Sequence, residues 1–172
     1  AATRLAEHGA EQLAQRAREM LQGAERVRAY VADPRSLSQV QRDTMETVHL
    51  RDVLTSAARL AHNEIKYRAQ LEQEHTETPL VMANRGQLLQ AFLNVLVNAA
   101  QSIDEGRAEQ NRIWIKSWRD HENAVIEIGD TGRGIASDAL ARVFEPFYST
   151  KPSSLSSGLG LTVSRSVVEL CG

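Results

Sequence analysis

The chain has 172 residues, of which 42% are hydrophobic and 24% are charged, and its formal net charge at pH 7 is −2. This length allows one domain with an appendage, and this composition excludes a wholly disordered or collagen-like chain. The nearly neutral charge excludes the broad basic surface that binding to a nucleic acid backbone requires, so no nucleic acid partner is expected. One cysteine, Cys171, and no apolar run of about 18 residues together predict a cytoplasmic chain, whatever membrane anchor a longer parent carries.

Residues 1–32 carry a heptad pattern. Apolar residues recur at alternating spacings of four and three, and they are Ala6, Ala10, Leu13, Ala17, Met20, Ala24, Val27 and Val31. Such a seam predicts one long helix that packs in a bundle or coiled coil, with an ordinary surface helix as the alternative. Asp33-Pro34 should end this helix, because proline disfavours helix in the residue before it. Residues 33–44 are polar and without period, which predicts a linker.

A globular domain is predicted over residues 45–172. Apolar spacing and capping residues predict helices at 50–64, at 85–103 with Asn84 as its cap, at 137–143 with Ser137 as its cap, and at 160–170. Alternation predicts strands at 69–76, 113–118 and 124–128, the last two joined as a hairpin. This order predicts an α+β fold, a two-layer sandwich in which helices cover one face of a mixed sheet.

The familiar phosphate-binding motifs are absent. The sequence contains no Gly-Lys-Ser/Thr loop, and its Gly-x-Gly runs lack the third glycine of a dinucleotide-binding fingerprint. Instead, four short segments follow one another along the domain, and they are Asn94–Ala99, Asp130–Ile135, Phe144–Tyr148 and Gly158–Leu161. Each segment can be interpreted from its own chemistry.

Asn94 and Asn98 lie one helical turn apart, so they project from one face of an otherwise apolar helix. A buried amide without a partner costs about 1–3 kcal/mol, so both side chains need hydrogen bonds or ligands. An amide oxygen suits Mg²⁺, a hard cation that takes its remaining ligands from water and phosphate oxygens. Hydrogen bonding to the backbone alone is the alternative.

Asp130 follows an apolar strand and opens a turn that contains Gly132 and Gly134. Glycines allow a flat ligand to approach the backbone, and a carboxylate can accept from an exocyclic amine such as that of adenine. A tight turn without a ligand is the alternative. Asp-Thr-Gly also occurs in aspartic proteases, but Arg133 stands where that class requires a small apolar residue.

Gly158 and Gly160 immediately precede a predicted helix. Free N–H groups at a helix start favour an anion, which predicts a phosphate cradle, with a close helix crossing as the alternative. The polar stretch 149–157 before these glycines predicts a mobile lid. Phe144 and Phe147 are expected to be packing anchors at the root of this lid.

In this order the four segments resemble the N, G1, F and G2 boxes of histidine-kinase catalytic domains, in the wider superfamily of gyrase, MutL and heat-shock chaperone ATPases. The resemblance covers residues 45–172, and residues 1–32 resemble the second helix of the family's dimerisation and phosphoacceptor bundle. It implies a Bergerat-type fold, ATP and Mg²⁺ as cofactors, and transfer of the γ-phosphate to a histidine for relay to a response regulator. It also implies a homodimer, formed through the helical arm in the full protein.

The resemblance carries over residue by residue. It implies that Asn98 binds Mg²⁺, that Asp130 binds adenine, and that Lys151 lies near the phosphates. The nucleotide-binding set that it implies is Asn98, Asp130, Gly132, Gly134, Ile135, Lys151, Gly158, Leu159, Gly160, Leu161 and Thr162. The catalytic set that it implies is Asn94, Asn98 and Lys151.

Asn94 bears on the reaction. ATP-hydrolysing relatives carry a glutamate one turn before the Mg²⁺ asparagine, and an amide at this position cannot take a proton from water. The resemblance therefore implies that ATP is held without hydrolysis, which disfavours a plain ATPase. A nucleotide-binding pseudokinase that works by docking to partners is the other alternative.

Two features depart from the family's pattern. No histidine is followed by an acidic residue and then by Asn-Pro or Arg-Pro, so all five are expected to be surface or packing residues, and they are His8, His49, His62, His75 and His121. The acceptor histidine is therefore expected on a bundle outside this chain. Related domains also continue through one or two more strands after the position of Gly172, so the domain is expected to be truncated.

Overall fold

The computed structural model describes residues 44–150 and 158–171, which belong to one compact unit. The predicted helix at 1–32, the predicted linker apart from Thr44, and Lys151 lie outside the described residues. In chain order the elements are β1 (Glu46–Val48), α1 (Leu50–Ile65), β2 (Gln70–His75), β3 (Val81–Ala83), α2 (Arg85–Gln101), a 3₁₀ turn (Ala108–Gln110), β4 (Arg112–Asp120), β5 (Asn123–Asp130), α3 (Ser137–Leu140) and α4 (Gly160–Leu170).

The larger sheet is mixed. Its central strand β4 runs parallel to β2 and antiparallel to β5. β1 and β3 pair with each other in a separate antiparallel sheet. Sequence patterns did not predict these two strands, because three residues are too few to show a period of two.

The core lies between one face of the mixed sheet and the helices. Ile113, Ile115 and Ser117 alternate along β4 and are fully buried, whereas Lys116 between them is exposed. α1 and α2 pack against each other, α1 contacts β2, and α2 contacts both β5 and α4. The predicted α+β sandwich, with helices on one face of a mixed sheet, is confirmed.

Most predicted elements are present with small changes at their ends. Asn84 caps α2 as predicted, since its Oδ1 accepts from Gln87 N at 3.1 Å. α2 ends at Gln101, and its last turn is tightened: the backbone N–H of Ser102 donates to the carbonyls of Asn98 and Ala99. The predicted Ser137 cap is wrong: the N-cap of α3 is Ala136, which has no polar side chain, and α3 stops at Leu140.

The hairpin and the last helix are confirmed. β4 and β5 pair in register from Ile113 with Asp130 to Asp120 with Asn123, and α4 has the predicted bounds. No helix in the described part of the chain has the length and apolar character needed to cross a membrane.

Candidate functional site

Asp130 is the last residue of β5 and is half-buried. Its Oδ1 lies 2.7 Å from Oγ of Ser102 and 2.8 Å from the backbone N of Gly132, and both of these groups donate to it. Within residues 44–150 and 158–171, these are the hydrogen bonds of the carboxylate, and both go to Oδ1. Among the described residues, both donors therefore converge on one oxygen of the carboxylate.

The turn after Asp130 packs tightly against the end of α2. A Cβ on Gly132 would lie 1.9 Å from Oγ of Ser102, so only glycine fits there. Arg133 N donates to the carbonyl of Ser102 at 3.1 Å, and Thr131 N donates to the carbonyl of Arg112 at 3.1 Å. This turn is consequently held by both α2 and the start of β4.

Sequence reasoning missed Ser102. The residue lay inside the helix predicted to reach Ile103, and a serine near a helix end is common enough to give no distinct signal. In the structure Ser102 is the C-cap of α2, and it joins that helix to Asp130. The position of Ser102 just after the Asn94–Ala99 segment is a sequence signal that could have identified it.

Asn94 lies in the middle of α2 and is 9% exposed. Its Oδ1 accepts from Nε2 of Gln90 at 2.9 Å, and its Nδ2 donates to the carbonyl of Gly160 at 3.4 Å. The buried Ser164 of α4 strengthens the same junction, since its Oγ lies 2.9 Å from the carbonyl of Gly160 and 3.1 Å from that of Ala91. These bonds join the first turn of α4 to α2.

Asn98 lies one turn after Asn94 on α2 and is half-buried. Its backbone carbonyl accepts from the N–H of Ser102 at 3.1 Å, so Asn98 is one turn from the Asp130 junction as well. No group of three or more His, Cys, Asp or Glu side chains in the described ranges is arranged to hold a metal ion. The amide oxygen of Asn98 stays the predicted Mg²⁺ ligand.

The segment before the predicted lid is held by its backbone. Phe144 and Phe147 are 45% and 75% exposed, so their predicted role as packing anchors is wrong. Phe147 N instead donates to the carbonyl of Gly158 at 3.1 Å, and Oγ1 of Thr162 donates to the carbonyl of Phe144 at 3.0 Å. A Cβ on Gly158 would lie 2.4 Å from the carbonyl carbon of Phe147, which only glycine avoids.

The remaining predicted residues lie beside these contacts. Gly134 has a φ of 69°, and Ile135 next to it is exposed. Leu159 and Leu161 are half-buried at the start of α4. The contacts described above fall into two groups, which we name for the ligands predicted for them. The base end consists of Asp130 and Gly132 together with Ser102, which the sequence did not predict, and the phosphate end consists of Asn94, Gly158 and Gly160.

The fold is that of an ATP-binding domain of the type that histidine kinases share with several ATPases. The family model described as histidine kinase-, DNA gyrase B-, and HSP90-like ATPase matches residues 83–172. This match covers more than half of the chain, and the chain therefore belongs to that family.

Individual relatives of the chain include sensor proteins and sensor kinases. The chain is 31% identical to the sensor histidine kinase ZraS of Salmonella typhimurium over 156 residues, which are 89% of this chain and 32% of ZraS. It is 28% identical to the C4-dicarboxylate transport sensor protein DctB of Pseudomonas aeruginosa over 149 residues, which are 86% of this chain and 24% of DctB. The chain thus spans about a quarter to a third of these curated relatives.

A solved structure agrees with this assignment. A mycobacterial sensor histidine kinase, MprB, has a TM-score of 0.62 to this chain at 30% identity, and the match covers 74% of this chain and 80% of that chain. The predicted resemblance of the domain to histidine-kinase catalytic domains is confirmed.

Proposed function

We propose that this chain is the ATP-binding catalytic part of a sensor histidine kinase, which transfers the ATP γ-phosphate to a histidine on a helical bundle for relay to a response regulator. Family membership supports this proposal, and one structural observation carries it. α2 is bonded to Asp130 through Ser102 at its end and to Gly160 through Asn94 at its middle. One helix therefore positions a site for the base and a site for the phosphates.

At the base end, Asp130 is proposed to bind adenine. Oδ2 accepts the exocyclic amine, while Oδ1 is held by Ser102 and Gly132. Gly134 and Ile135 follow in the same turn and are proposed to border the ring. The turn can lie close to a flat base, because the glycines at 132 and 134 carry no side chain.

At the phosphate end, the first turn of α4 is proposed to bind the phosphates. Its N-cap is Leu159, whose apolar side chain cannot cap the helix, and the N–H groups of a first turn favour anions. The proposed phosphate-contacting set is Lys151, Gly158, Leu159, Gly160, Leu161 and Thr162. Asn98 is proposed to hold Mg²⁺, which when bound would neutralise phosphate charge.

Asn94 favours a kinase over an ATPase. Its amide is buried, both of its polar atoms are bonded, and it cannot act as a general base. ATP is therefore held for transfer to an imidazole rather than to water, and catalysis depends on positioning and charge neutralisation.

We also propose a cytoplasmic setting and a homodimer formed through residues 1–32.

The test is to incubate the chain with radiolabelled ATP, with and without a separately supplied bundle that carries the acceptor histidine of its own kinase. We expect acid-labile label on the bundle and none on this chain, because phosphohistidine is labile in acid. The rate should fall on dilution, since transfer between separate chains lacks the effective concentration of a linked pair.

Each other outcome rejects a specific part of the proposal. Label on this chain alone would mean that one of its own histidines accepts phosphate. Binding of ATP without label on the bundle would favour a nucleotide-binding pseudokinase that works by docking to partners. Steady-state release of phosphate at the rate of a dedicated ATPase would favour hydrolysis, and would show that Asn94 does not prevent it.

A further inference from the structure

We infer that Ser102 is a positioning residue that orients the Asp130 carboxylate so that the site selects adenine over guanine nucleotides. The inference rests on the proposed function, in which Asp130 binds the base. Its starting point is the 2.7 Å contact between Oγ of Ser102 and Oδ1 of Asp130, which joins the last turn of α2 to the end of β5.

The hydroxyl of Ser102 has two acceptors within reach. Oγ lies 2.7 Å from Oδ1 of Asp130 and 2.8 Å from the carbonyl of Ala99, but it carries only one proton. A hydrogen bond to a charged acceptor is about twice as strong as a neutral one. The carbonyl of Ala99 also receives the backbone N–H of Ser102 at 3.2 Å. The proton therefore goes to Asp130.

Ser102 is itself held in place. Its backbone N–H donates to the carbonyl of Asn98, and its carbonyl accepts from the N–H of Arg133 at 3.1 Å. Gly132 packs so closely against it that a Cβ there would collide with Oγ. These contacts fix the backbone of Ser102 relative to the turn, so its hydroxyl is presented to Asp130 from a defined position at the end of α2.

This orientation has a chemical consequence. Both described donors bond to Oδ1, so the other oxygen of Asp130 would meet a bound base as a pure acceptor. The 6-amino group of adenine donates to such an oxygen, whereas the 6-oxo group of guanine is a second acceptor and repels it. Without the hydroxyl of Ser102, Gly132 alone holds the carboxylate, which can then turn and admit a water that donates to the guanine oxygen.

The experiment measures the dissociation constants of ATP and GTP by calorimetry for the wild-type chain, Ser102→Ala and Ser102→Cys. We expect Ser102→Ala to lower the preference for ATP over GTP about tenfold, the loss expected for one charge-assisted hydrogen bond. Ser102→Cys, with a weaker donor, should give an intermediate preference. Ser56→Ala is the matched control, because Oγ of Ser56 donates to a helix carbonyl, that of Asp52, at 2.8 Å on α1.

The outcomes separate this inference from the proposed function. A wild-type chain that binds no ATP would overturn both. A wild-type chain that prefers ATP, with an unchanged preference in Ser102→Ala, would overturn only the role of Ser102. Equal losses of affinity for both nucleotides would show that Ser102 is merely structural. If Ser102→Ala does not fold, the preference of Ser102→Cys decides, and a value equal to wild type overturns the inference.

Discussion

The base end and the phosphate end of the site are built by different means. At the base end, the contacts converge on one side-chain oxygen, Oδ1 of Asp130, which lies 2.7 Å from Oγ of Ser102 and 2.8 Å from the backbone N of Gly132. At the phosphate end, the junction relies on backbone groups: Gly158 and Phe147 bond through their backbones, and Nδ2 of Asn94 reaches the carbonyl of Gly160 at 3.4 Å. Substitutions that change a side-chain functional group should therefore have their largest effect at the base end. Substitutions that restrict the backbone, such as glycine to alanine, should have their largest effect at the phosphate end.

The largest effect is expected for Asp130→Asn. The amide donates where the carboxylate accepts, and a hydrogen bond to a charged group contributes about 1.5–3 kcal/mol, or roughly 10–150-fold in affinity. ATP affinity and the preference for adenine nucleotides should both fall when measured by calorimetry. Asp120→Asn is the control, because Asp120 lies at the β-hairpin turn and bonds to His121. Wild-type affinity in Asp130→Asn would refute the base end.

Asn98→Ala should have the next largest effect, on the magnesium dependence of binding. Removal of the amide oxygen takes away the proposed protein ligand of Mg²⁺, so ATP affinity in magnesium should fall about tenfold, as for one lost polar contact. Affinity measured in excess chelator should change little. The exposed Asn63 of α1 provides the control variant Asn63→Ala. An equal drop with and without magnesium would assign Asn98 a structural role.

Gly158→Ala and Gly134→Ala form a matched pair that tests the backbone character of the phosphate end. Both glycines have positive φ, 68° and 69°, but a new Cβ meets Phe147 at 2.4 Å only at Gly158, and meets nothing within 4 Å at Gly134. Gly134→Ala should cost about 1 kcal/mol of unfolding free energy, and Gly158→Ala about 1–3 kcal/mol more. Urea denaturation measures both. Equal costs would mean that the contact with Phe147 has no energetic weight.

The smallest effect is expected for His75, which contacts neither the base end nor the phosphate end, and it concerns the pH dependence of stability. Burial, and secondarily the charge of Arg51, lower the pKa of His75, whose Nδ1 lies 2.8 Å from Oγ of the buried Ser117. A pKa lowered by folding means that the unfolded chain binds the proton more tightly. The contribution of His75 to stability is therefore complete above the unfolded pKa of about 6.5 and declines as pH falls below it.

His75→Asn should flatten this decline in urea denaturation curves measured between about pH 5 and pH 8. The ATP-to-GTP preference of the variant should equal that of wild type, because His75 contacts neither end of the site. A decline as steep as that of wild type would show that another group causes it.

The sequence by itself determined most of the local elements and the family of the domain, and it supplied the residues of the proposed site. Periodicity and capping located α1, α2 and α4, and strand alternation located the β4–β5 hairpin, because these signals act over a few neighbouring residues. The four segments could be interpreted for the same reason, since each depends on residue types within one turn or one helix.

Only the tertiary structure decided how these parts are held together. Ser102 meets Asp130 across 28 positions of the chain, and Asn94 meets Gly160 across 66. The pairing of β1 with β3, and the exposure of Phe144 and Phe147, likewise depend on distant neighbours. Packing between elements selects such contacts, and a single sequence carries no local pattern for them. The contact on which the proposed role of Ser102 in base selection rests became visible only in the folded chain.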